Sequence, residues 1–170
     1  MDEKEKAQKE LEKPAACFEG MVKVLHSLLK QDIVYMKYEE LKTGGPSAPV
    51  KETMSPIVQC VTALVKDDGR GVSEVSSQDF LSVVAEPAKF IDALRNVRPS
   101  TIMEKVEAHG WKLGGVLLEI KEIVQELDLE KVKRMSRPGE VLAAFLHKLV
   151  ACAEAFAELS SETKALLKSR

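Results

Sequence analysis

From residue 142 onward, apolar or small side chains recur at Leu142, Phe145, Leu149, Cys152, Phe156, Leu159, Thr163 and Leu166. The steps alternate between three and four residues, the seam of a heptad repeat and the mark of a coiled-coil strand. His147, Lys148, Glu154, Glu158, Glu162, Lys164 and Lys168 fall between seam positions, as a solvated face requires. The N-terminal end repeats the pattern more loosely. Ala7, Leu11, Phe18, Leu25 and Ile33 lie near one stripe, and Ala15, Val22 and Leu29 near a second. Pro14 predicts a kink or break, because it lacks an N–H and clashes with the preceding turn. Gly20 weakens the same helix by about 1 kcal/mol relative to alanine. If the two ends pair with each other they run antiparallel, since the chain between them has to turn back. Each arm of about 30 residues would then be about 45 Å long at 1.5 Å per residue. Periodicity alone fits equally well a single compact helical bundle.

Breakers divide the middle of the chain into short helices. Thr43 to Pro49 reads as a loop, with Gly44, Gly45 and Pro46 inside it. Ser55-Pro56 predicts a helix start, followed by an apolar face of Ile57, Val58, Val61, Leu64 and Val65. Lys66 to Gly71 is a charged surface turn. Ser77 or Asp79 caps a helix through Phe80, Leu81, Val84 and Ala85, and Pro87 opens another carrying Phe90, Ile91 and Leu94. Pro99-Ser100 ends that helix, and Thr101 caps the next, with Met103 and Val106. Gly110, Gly114 and Gly115 flank Trp111 in a loop. Leu117–Leu127 and Leu129–Met135 are the last two helices before Pro138-Gly139 leads into the C-terminal seam. No strand alternation competes, so the fold expected is all-α.

Composition adds limits. Apolar residues make up 45% of the 170 and charged residues 31%, enough for a core and too regular for a disordered chain. No apolar run approaches the roughly 20 residues that span a bilayer, and the charged start has no apolar signal region, so a soluble intracellular protein without membrane contact is expected. A formal net charge of −2 argues against a general nucleic-acid binder. Cys17, Cys60 and Cys152 are odd in number and widely spaced, fit neither a disulfide framework nor a zinc site, and read as reduced buried thiols. His26, His109 and His147 have no partner at metal-ligand spacing. Gly69-Arg70-Gly71 lacks the phosphate-loop pattern, and no strand precedes Gly110 to Gly115. No catalytic residue, metal or cofactor is expected. Trp111 is either a core filler or a loop anchor. Charge along the chain says more. Lys30, Lys37, Lys42, Arg95, Arg98, Lys131, Lys133, Arg134 and Arg137 gather at segment junctions, either as ordinary solvated surface or as a basic face for an acidic protein partner.

Leu25-His26-Ser27-Leu28-Leu29-Lys30-Gln31-Asp32-Ile33-Val34-Tyr35-Met36-Lys37 resembles the pattern with which the first stalk helix ends in dynein heavy chains. The family then has a proline-containing loop and a Val-x-x-x-Met-x-x-Val-x-x-Leu helix; this chain has Pro46 and Pro49, then Val50, Met54, Ile57, Val58, Val61 and Leu64. Phe80 to Leu94 is similar to a further family segment, and Leu129-Glu130-Lys131-Val132-Lys133-Arg134-Met135-Ser136 to the one that leads into the returning stalk helix. Pro14 matches a proline the family carries in its outgoing helix. Tyr35 departs from the usual acidic residue, Pro87 stands where some members have a basic one, the family's proline in the returning helix is missing from Leu159 to Lys164, and Gly110 to Gly115 looks like an insertion.

The resemblance implies a small helical bundle head, 34–137, carried on a two-stranded antiparallel coiled coil with its outgoing arm at 1–33 and its returning arm at 138–170. It implies a microtubule-binding domain that grips the groove between α- and β-tubulin and catalyses nothing itself, while ATP is hydrolysed in a motor ring elsewhere. By position, Lys30 and Lys37 would serve from the first helix, Lys89 from the middle, and Lys131, Lys133, Arg134 and Arg137 from the last. Sliding of the arms in register would set affinity. Microtubules are the partner implied, with a dynein light chain as a further one, at the cytoskeleton or ciliary axoneme. The alternative on the same residues is a helical adaptor or scaffold bundle that binds an amphipathic partner helix.

Overall fold

The long apolar series near the C-terminus becomes the helix around which the others gather. In the computed structural model, which describes residues 2–28, 30, 32 and 48–168, the chain is all-helical among those residues. Its helices are α1 (Glu3–His26), α2 (Ala48–Lys66), α3 (Ser77–Val84), α4 (Pro87–Arg95), α5 (Pro99–Ala108), α6 (Gly115–Glu126), α7 (Leu129–Met135), α8 (Arg137–Ala157) and α9 (Ser161–Lys168), with a 3-10 turn at Val72–Glu74. No described helix is long and apolar enough to cross a membrane.

The heptad seam is buried as expected. Leu142, Phe145, Leu149 and Cys152 are fully enclosed, Phe156, Leu159 and Thr163 nearly so, and Leu166 is half-buried. α1 lies against this seam in the opposite direction: Gly20 faces Lys148, Pro14 faces Cys152, Lys13 pairs with Glu158 at 2.8 Å, and Glu10 reaches Ser160. The antiparallel pairing of the two ends is therefore present.

A second strip on α8 changes its role. Gly139, Ala143, Leu146, Val150 and Ala153 lie beside the seam and are buried too. They meet the rest of the bundle: α8 packs against α2, α5, α6 and α7 as well as α1. Met54 of α2 presses on Gly139 so closely that a Cβ there would lie 2.4 Å from its Cε. Lys121 of α6 pairs with Glu154 at 3.4 Å. Over this stretch α8 buries a face wider than the heptad seam, as a core helix does. One apolar core runs from Met21 to Leu159 and takes residues from all three expected segments.

Local corrections have local causes. On α1 the buried strip is Ala7, Pro14, Met21 and Leu25, followed by buried Leu28 just beyond the helix, while Ala15 and Val22 are exposed. Pro14 thus sits in the seam and does not end the helix. Leu29 and Ile33 lie outside the described residues, as does most of the loop expected at 43–49, of which Ala48 and Pro49 are helical. α2 passes through Pro56 instead of starting there. Ser76, one residue earlier than expected, caps α3: its Oγ accepts from the Asp79 N–H while Asp79 accepts the Ser76 N–H, a reciprocal capping box. Pro99 opens α5 as its first residue instead of closing α4. α8 stops at Glu158, and α9 begins anew after Ser160.

Candidate functional site

The basic residues divide into two groups. In the first, Asp128 opens α7 by accepting the Lys131 N–H at 3.2 Å, and Val132, fully buried, fastens the short helix to the core. One anchor on a two-turn helix leaves Lys131, Lys133 and Arg134 pointing to solvent. Ser136 then accepts the Gly139 N–H at 3.0 Å and caps α8, which puts exposed Arg137 at the first helical position. A cation there opposes the helix dipole, whose N-terminal end is already positive. Lys133 and Arg134 sit in the last turn of α7, where the dipole favours them, directly before that same N-terminus. The α7–α8 junction thus gathers four exposed cations, with Asp128, Glu130 and Glu140 close by in sequence. Leu129, 41% exposed, stands in the same helix. An apolar residue opening a charged two-turn helix is visible in the sequence.

The second group surrounds the end of α1. Lys30 is exposed and lines a shallow groove with Leu28, Ala88, Ile91, Asp92 and Arg95, so it faces α4. Lys89 is on the same helix, but its ammonium is held by Glu86 at 2.6 Å, which also raises its pKa. Lys89 is therefore a paired cation. Lys37 lies outside the described residues. The antiparallel register directs the C-terminal end of α1 toward the end of α8 that begins at Arg137, while Lys30, beyond α1, lies at α4.

The remaining candidates have structural explanations. Arg70 bridges Asp68 and Asp79, its Nη1 2.9 Å from Asp79, and holds the Asp79 carboxyl well below the usual carboxylate range. Glu119 accepts the Val72 N–H and ties α6 to the 3-10 turn. Trp111 adopts a left-handed φ of 61° and is half-buried with the Lys164 ammonium 5.5 Å from its ring centre, which makes it a loop anchor for α9. Gly114 is required there, because a Cβ would lie 2.5 Å from Cγ of His109. The Nε2 of His147 is buried without a partner among the described residues, and burial lowers its pKa. No cluster of three metal-ligating side chains occurs among the described residues.

An apolar cleft of about 160 Å³ lies between α1 and α4, walled by Phe18, Met21, Val22, Leu25, Leu94 and Val97. Comparison with protein-family models, with curated proteins and with solved structures finds no match for this chain.

Proposed function

We propose that the chain is a microtubule-binding head of dynein type, with α1 and α8–α9 as the roots of two antiparallel arms. The observation that supports the reading is that Lys131, Lys133, Arg134 and Arg137 are all exposed at the α7–α8 junction, toward which the register of α1 on α8 directs the chain that leads to Lys30. Those cations come from segments about 100 residues apart in the chain. A charged face built from distant segments is what an acidic protein surface such as tubulin's would need. Lys89 drops to a minor role because Glu86 already holds it. Contacts would be charge-assisted hydrogen bonds, and each exposed pair contributes only about 0.2–1 kcal/mol. Affinity would then rest on the sum and on the rigidity with which Val132 and the Ser136 cap hold α7 against α8. In this reading the work is done at the cytoskeleton, the chain performs no catalysis, and arm register modulates binding.

The test is co-sedimentation with microtubules across a salt series. Binding should weaken steeply as salt rises, and Lys131→Ala and Arg134→Ala should each lower affinity at low salt by up to about fivefold. Val22→Glu, in the apolar cleft, should leave it unchanged. Absence of binding at low salt, or binding indifferent to salt, defeats the proposal. The cleft favours a second reading, an adaptor that receives one large apolar side chain of a partner helix. It is smaller than the roughly 300 Å³ at which small-molecule pockets begin. That reading requires the reverse result: salt-insensitive binding abolished by Val22→Glu.

A further inference from the structure

Where α1 crosses α8, the two helices carry small residues and come close. The Cys152 Sγ is 3.6 Å from the carbonyl oxygen of Pro14. In a helix, a carbonyl oxygen points toward the residues one turn further on, and for Pro14 these include Cys17. Gly20 meets the stem of Lys148 three residues beyond, so Cys17 lies between two measured contacts of α1 with α8. Cys17 is half-buried at the margin of this interface, and Cys152 is fully enclosed within it. A disulfide needs Cα atoms about 4.4–6.8 Å apart, a distance reached only where helices approach closely.

We propose that Cys17 and Cys152 form a disulfide that clasps α1 to α8, with a small-molecule disulfide such as oxidised glutathione as the oxidant. The Cys17 thiolate attacks one sulfur of glutathione disulfide, giving a mixed disulfide at Cys17 and releasing one glutathione thiolate. The Cys152 thiolate then attacks the Cys17 sulfur, the protein disulfide forms, and the second glutathione thiolate leaves. The two thiol protons end on the two released glutathiones, so two cysteine thiols are oxidised and one glutathione disulfide is reduced. Burial pushes the Cys152 thiol up to about 12, with Cys17 adding to the rise, so the second step waits for α1 to lift from α8. Cys60 is a built-in control: it is fully buried in α2, and its thiol is likewise raised to about 12.

The experiment incubates the full chain in glutathione redox buffers, traps free thiols by alkylation, and reads intact mass and peptides. The expected result is the loss of two thiols, a linked Cys17–Cys152 peptide, and Cys60 alkylated only after unfolding. The urea midpoint of the oxidised chain should rise by on the order of 1 M and return on reduction, because the bond closes a long loop. Cys60→Ser should oxidise like the parent, and Cys17→Ser should form no protein disulfide. A chain that stops at the Cys17 mixed disulfide, a linkage through Cys60, or no loss of thiols would each overturn the proposal.

Discussion

Replacing Leu146 with alanine separates a core helix from a stalk strand. Leu146 lies off the heptad seam, on the strip of α8 that faces away from α1, and it is fully enclosed. Losing its outer carbons forfeits about 2–2.5 kcal/mol of transfer free energy, at about 0.8 kcal/mol per methylene. The surrounding helices close the gap only in part, and the cavity term brings the total to roughly 3–5 kcal/mol. That is a large fraction of a typical domain stability of about 5–15 kcal/mol. With a urea m-value of about 2 kcal/mol per molar, the unfolding midpoint should fall by about 1.5–2.5 M. Far-ultraviolet circular dichroism and Trp111 fluorescence should move together, since one core serves both ends of the chain. Ala151→Lys, on the exposed face of the same helix, should stay within about 0.5 kcal/mol. A loss below about 1 kcal/mol for Leu146→Ala would refute the burial of the second strip and return α8 to a free coiled-coil strand.

Acid should weaken the fold in two further ways. His147 is held neutral by burial, its pKa lowered from 6.5, so below that pH the unfolded chain takes up a proton the folded one refuses. Stability complete above pH 6.5 should therefore fall as pH drops, and His147→Leu should flatten that limb in thermal melts at pH 5 and 8. The Glu10 carboxylate, kept below its ordinary range first by the Thr163 hydroxyl and then by the Ser160 N–H, holds from another helix the serine that caps α9. Its contribution is complete above about pH 4.5 and is lost as pH falls. Glu10→Ala should accordingly expose α9 to limited proteolysis at neutral pH while α8 stays protected.

The sequence carried different parts of this structure with different force. The seam from Leu142 to Thr163 was plain because seven successive positions at heptad spacing are apolar or small, and all are buried. Leu146 and Val150 were equally visible, but a heptad seam is narrower than the face of a core helix, and fixing on the seam hid the second strip. Proline misled in opposite directions. Pro14 suggests a kink or break and Pro56 a helix start, yet both lie inside helices, whereas Pro99 suggests a stop and is a start. A proline fixes its own φ and removes one donor, and only the neighbouring chain decides which side of it is helical. The cations of the candidate site were countable from the sequence. Their grouping was not, because it depends on the register of α1 against α8. The Lys89–Glu86 pair was within reach, being three residues apart. The contact of Cys152 with the Pro14 carbonyl joins residues 138 apart and leaves no mark in the sequence.

The bond from Ser160 to Glu10 joins residues 150 apart. Bringing such distant points together from a random chain costs about 4 kcal/mol in closure entropy alone, before any contact rewards it. Chains dominated by non-local pairings fold slowly for their size. Docking of α9 on α1 is consequently a late event: Ser160, whose hydroxyl caps α9, is itself held by a Glu10 carboxylate that arrives only when the first helix is in place.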